Sequence, residues 1–202
     1  MQPGAGVVRV VESRFLLGAA SAASLPEGTL PEVAFAGRSN VGKSSLIQRL
    51  VGGRGLVRIS GTPGRTRQIN LFEIALADGK RFVLADLPGY GWARVSRKER
   101  RSWGALIERY LETRGALRSV VAIIDARRGV EEDDVALADY LRAIGRPMIA
   151  CATKVDKLAK NRAGPAVAAI GRALGCPAIA FSAKTGEGKD EIWSALLATL
   201  DH

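Results

Sequence analysis

The chain has one histidine, His202, and two cysteines, Cys151 and Cys176. A lone histidine leaves no imidazole set for a metal centre and no base for a serine or cysteine triad. Two cysteines cannot build a disulfide framework, and both lie in apolar surroundings. They read as buried, reduced thiols of a cytosolic protein. No apolar run approaches the roughly 18 residues of a membrane span. Repeats, linkers and low-complexity blocks are missing too. Acidic residues are few: 20 against 30 basic ones, for a net charge of +10 and a pI near 10.2. That balance suits a polyanionic partner, nucleic acid or an anionic membrane, and says nothing about fold.

What is present is ordinary for one folded domain: 202 residues, 47% hydrophobic and 25% charged. Strands are predicted at Val33–Ala36, Ile69–Leu76, Arg81–Asp86, Val120–Asp125, Met148–Thr153 and Ala178–Phe181, with an Asp78-Gly79 hairpin turn. Leu46, Ile47, Leu50 and Val51 recur at helical spacing, and further helical patterns lie near 97–113, 131–144, 161–174 and 187–200. Strands alternating with helices predict a three-layer α/β domain. Its sheet has six strands, mostly parallel with one antiparallel, and helices on both faces. Val7–Val11 is a candidate short edge strand. The stretch after Arg14, Phe15–Ala22, has the look of a signal-peptide core, but the positive charge before it is weak. Residues 1–30 are therefore read as an N-terminal extension packing on a domain of residues 31–202.

Gly37-Arg38-Ser39-Asn40-Val41-Gly42-Lys43-Ser44 fits G-x-x-x-x-G-K-[ST] and stands between a predicted strand and a predicted helix that Ser45 enters. In that setting successive backbone N–H groups converge on phosphate oxygens at a helix N-terminus. Lys43 is expected to reach the β- and γ-phosphates, and the Ser44 hydroxyl to ligate Mg²⁺.

Other loops follow predicted strand ends, where open α/β sheets bind ligands. In Asp86-Leu87-Pro88-Gly89 the carboxylate suits Mg²⁺, directly or through water, and the Gly89 N–H suits a γ-phosphate. In Thr153-Lys154-Val155-Asp156 the carboxylate can accept the paired N1–H and N2–H₂ donors of guanine, which adenine lacks, while the Lys154 stem packs over the purine. Phe181-Ser182-Ala183-Lys184 offers a backbone N–H for guanine O6. The loop of residues 54–68 contains Gly64-Arg65-Thr66-Arg67-Gln68, with Thr66 a second hydroxyl ligand for Mg²⁺. Each element is weak alone; five in this order are strong.

Together Gly37 to Ser45, Thr62 to Thr66, Asp86 to Ala93, Thr153 to Lys157 and Phe181 to Gly188 resemble Ras-like P-loop GTPases of the translation-factor-related branch. The chain is most similar to the EngB/YsxC (YihA) family of bacterial ribosome-assembly GTPases. The resemblance implies GTP/GDP as ligand and Mg²⁺ as cofactor. It implies a cytoplasmic monomer that acts on the precursor large ribosomal subunit, its rRNA and ribosomal proteins, and is needed for normal cell division and septation. A regulatory GTPase acting on a protein or membrane partner is the alternative. Tyr90 stands where Ras-like enzymes place a water-orienting Gln, so slow hydrolysis is expected. Lys43, Thr66 and Gly89 carry the catalytic assignment, with K⁺ near Asn40, or Arg65, as sources of compensating positive charge. Thr153 replaces the Asn of N-K-x-D, which removes one loop-bracing amide.

The positive charge is concentrated. Residues 54–101 hold eleven basic and four acidic side chains, a net +7 of the chain's +10. That segment includes the loops expected to respond to a γ-phosphate, so it is the RNA-contact candidate, with Trp92 beside the Arg97–Arg101 cluster able to stack.

Overall fold

The computed structural model describes residues 8–21, 24–52, 68–90 and 97–201, with backbone alone at 97–103. The elements run β1 (Val10–Ala19), β2 (Glu32–Gly37), α1 (Lys43–Val51), β3 (Ile69–Leu76), β4 (Arg81–Asp86), α2 (Arg97–Thr113), β5 (Leu117–Asp125), α3 (Glu132–Ala143), β6 (Met148–Thr153), α4 (Lys160–Leu174), β7 (Ala178–Phe181) and α5 (Lys189–Leu200).

One sheet joins the strands in the order β1-β3-β4-β2-β5-β6-β7. β3 runs against both of its neighbours, β1 and β4, and every other pairing is parallel. The central strands read as continuous apolar runs because both faces are covered. In β2, Val33 and Phe35 join a cluster with Leu46 and Leu50 of α1 and Trp193 and Leu196 of α5. The alternate residues Ala34 and Ala36 join Leu106 and Tyr110 of α2 and Leu141 of α3 on the other face. Further along, Ala122, Ile124, Ala150 and Ala152 pack against Ile170 and Leu174 of α4. The expected three layers are present.

The expected strand count is corrected from six to seven. In place of a short strand at Val7–Val11, the structure places ten residues, Val10–Ala19, as β1 on the sheet edge. This stretch includes part of the apolar run after Arg14. Two register shifts, between Val10 and Glu12 and between Phe15 and Leu17, break the period-two pattern that marks a strand in sequence. Val11, Phe15 and Leu16 are exposed. No described helix is long and apolar enough to cross a membrane. Cys151 is buried as expected, whereas Cys176 is only half-buried, because it follows the Gly175 cap of α4 in a surface turn.

Candidate functional site

Strand order decides which loops meet. The C-terminal ends of β4, β2, β5, β6 and β7 lie side by side at one rim, about 4.8 Å apart strand to strand. These ends lead into Asp86, Gly37, Asp125, Thr153 and Phe181.

α1 starts at Lys43 behind Gly42, whose φ of 104° is a left-handed conformation that a Cβ would strain. No side chain caps the helix, so its first N–H groups face the loop, as an anion cradle requires. Ser44 and Ser45 are exposed in this first turn. Lys43 Nζ ion-pairs with Asp86 Oδ1 across the gap between the two strand ends. Asp86 is 1% exposed. The Asp86 carboxylate and the hydroxyl of Ser44, next in sequence to its partner Lys43, are hard oxygens of the kind Mg²⁺ takes, and Mg²⁺ keeps few protein ligands, leaving positions for phosphate and water. Gly89 lies against the phosphate loop, where an added Cβ would come 2.9 Å from Ser39 Oγ.

The loop after β6 grips the Gly37–Ser44 loop at two consecutive carbonyls. Thr153 Oγ1 donates to Val41 O at 2.5 Å, and Lys154 Nζ donates to Asn40 O at 2.5 Å. Thr153 therefore braces the loop with a hydroxyl where the general pattern has an Asn amide. Asn40 and Lys154 are also the two non-glycine residues at positive φ among those described, at 65° and 61°. Each such residue is strained, and the bond between them holds both in place. Lys154 is steadied further by Asp125 Oδ2 at 2.9 Å, and Arg127 forks onto the same carboxylate at 2.9 and 2.7 Å. Burial pushes the Asp125 carboxyl up, but the hydrogen bonds from Arg127 and Lys154 outweigh it and bring it down to about 2.

Ser182 Oγ donates to Asp156 Oδ1 at 2.7 Å and accepts the Thr185 N–H at 3.2 Å. This holds the loops after β6 and β7 together. Val155 and Phe181 point into the core, as do Leu87 and Val41. These four residues can face a ligand only through their main chain. Gly64, Arg65, Thr66 and Arg67 lie outside the described residues, and Gln68 is exposed just before β3.

Tyr90 does not point its phenol at the loop. Its hydroxyl donates to Asp134 Oδ1 of α3 at 2.9 Å. Beside it Arg38 ion-pairs with Glu131 at the N-cap of the same helix. Asp125, Arg127, Glu131 and Asp134 carry no motif and were missed in the sequence reading. The one available signal was Glu131 and Asp134 as a three-residue capping spacing before an apolar pattern.

Lys80 and Arg81 sit at the hairpin end of β4, opposite Asp86, and pair with Asp201 and Glu73. Arg54, Arg58, Arg65, Arg67, Trp92 and Arg94 lie outside the described residues, as do the side chains of the Arg97–Arg101 cluster.

A family described as "50S ribosome-binding GTPase" matches residues 32–154, more than half of the chain. A "Probable GTP-binding protein EngB" of Anaeromyxobacter sp. strain Fw109-5 is 46% identical over 197 residues, covering 94% of this chain and 91% of that one. The chain belongs to the EngB family of GTP-binding proteins. A Clostridium perfringens EngB protein is 44% identical over 189 residues, covering 92% and 94%. The crystal structure of a probable GTP-binding protein EngB superposes with a TM-score of 0.67 at 25% identity, covering 84% of this chain and 98% of that one. Aquifex aeolicus Era bound to GDP and AlF4- shares the fold, with a TM-score of 0.69 at 24% identity, covering 84% and 56%. Membership in the EngB family makes the chain a GTP-binding GTPase.

Proposed function

We propose that the chain is a nucleotide-dependent switch in assembly of the large ribosomal subunit, hydrolysing GTP to GDP and phosphate slowly in the cytoplasm and supporting cell division. Residues 31–202 carry the GTPase motifs, and Val10–Ala19, before them in the chain, adds the edge strand β1 to the same sheet. The observation that carries the reading is the rim itself: four strand ends bring Lys43, Asp86, Asp156 and Ser182 to one side, bonded pairwise. The description of the matching family, "50S ribosome-binding GTPase", supports the partner.

In this reading the amides of Gly37 to Ser45 and Lys43 hold the phosphates. Asp156 accepts the guanine edge while Ser182 orients it, and the Ala183 and Lys184 backbone faces guanine O6. Ser44, Asp86 and Thr66 are the groups that would hold Mg²⁺, which supplies charge neutralisation between the β- and γ-phosphates. The Gly89 N–H faces the γ-phosphate. Asn40, exposed on the phosphate loop, is the candidate for placing K⁺, with Arg65 as a second source of positive charge. Equal turnover in K⁺ and Na⁺ would remove the monovalent ion from this account.

The test is sedimentation of lysate with GTP or GDP. Association with precursor large-subunit particles in GTP, weakening steeply with salt, is expected. Liposome association without ribosomal association would replace this partner with a membrane.

A further inference from the structure

The turn that opens α3 lies outside every nucleotide-binding motif, yet it holds two of the loops that carry them. Glu131 and Asp134 form a reciprocal capping box, with Glu131 N–H donating to Asp134 Oδ2 at 3.0 Å. The same two side chains turn their remaining oxygens outward. Glu131 pairs with Arg38 of the phosphate loop, and Asp134, 3% exposed, accepts from Tyr90 at the end of Asp86-Leu87-Pro88-Gly89-Tyr90. The two loops are also stitched by main chain, since Ser39 N–H donates to Tyr90 O and Tyr90 N–H to Gly37 O, both at 3.3 Å. Gly89 lies inside this stitch. Burial, then the charge and hydrogen bond of Asp134, push the Tyr90 phenol well above its ordinary range. It stays protonated and acts only as the donor.

We propose that Tyr90 and Asp134 form a latch, with Tyr90 a positioning residue through which the first turn of α3 sets where the Gly89 N–H rests against the phosphate loop. The proposal rests on the GTPase reading of the rim. Gly89 meets only the third phosphate, so the latch tunes discrimination between GTP and GDP rather than nucleotide binding in general. A held segment loses less freedom when it makes that contact. The phenol is thus committed to Asp134 instead of to an attacking water.

The experiment is a fluorescence titration of wild type, Tyr90→Phe, Asp134→Ala and the double variant with GDP and with a non-hydrolysable GTP analogue. Tyr90→Phe is expected to weaken the analogue roughly five- to tenfold and leave GDP within about twofold, the scale of one lost hydrogen bond. Asp134→Ala should repeat that ratio, and the double variant should add nothing to it. Equal losses for both nucleotides mean a merely structural role and overturn the latch. So does an unchanged ratio, and so do losses that add in the double variant. Wild type that binds neither guanine nucleotide overturns the GTPase reading itself, a result separate from any of these.

Discussion

At the N-terminal ends of the parallel strands Glu32 is 1% exposed, and both of its oxygens are taken. Tyr110 donates to it at 2.8 Å, and Arg114 forks onto it at 2.9 and 2.5 Å. Arg146 closes the same region by donating to the carbonyls of Leu111, Leu117, Arg114 and Glu112, which end α2 and begin β5. At the C-terminal ends Asp86 is equally buried, but among the described residues its one side-chain partner is Lys43. Both carboxylates are paired, as burial demands. Only the second is paired with a group that a ligand can claim. Burial and charge alone therefore do not mark function; what marks it is a polar pair drawn from two loops of a shared cleft.

That contrast can be broken by substitution. Glu32→Ala should cost about 3 kcal/mol of unfolding free energy, since it strands a buried arginine and phenol. GDP affinity should stay within about twofold; a denaturant titration beside a nucleotide titration checks both. Lys43→Met should act on binding, lowering GTP affinity at least about 100-fold, or ~2.7 kcal/mol, by nucleotide titration.

Asp125 sharpens the comparison, because it lies at the rim yet is held as fully as Glu32. Its carboxyl at about 2 is below the ordinary 3.8, so its contribution is complete above pH ~4 and lost as pH falls toward 2. Across that window the wild type should lose about 2 kcal/mol more stability than Asp125→Asn, measured by acid unfolding. The smallest effect is Thr153→Val. Removing the hydroxyl that braces Val41 should weaken GDP binding by about 1 kcal/mol, some fivefold, with little change in the preference for GTP over ATP.

Local signals made much of the molecule legible. The buried strands announced themselves as apolar runs, and the phosphate loop by glycines between a strand and a helix. β1 was legible only in part because its bulges and exposed Phe15 and Leu16 break the alternation. Asp134 was not legible at all, since its partner Tyr90 is 44 positions away. The place of Lys80 and Arg81 was not legible either, since the hairpin sets them at the end of β4 opposite Asp86.

The sequence by itself determined the kind of chemistry, because a loop that cradles phosphate needs glycine, lysine and hydroxyl at fixed spacing wherever it stands. Only the tertiary structure decided who meets whom. Thr153 reaches Val41 across 112 positions, and Ser182 reaches Asp156 across 26. Those meetings follow from the strand order β4-β2-β5-β6-β7, which sets the strand ends side by side so that each side chain finds its partner across the rim.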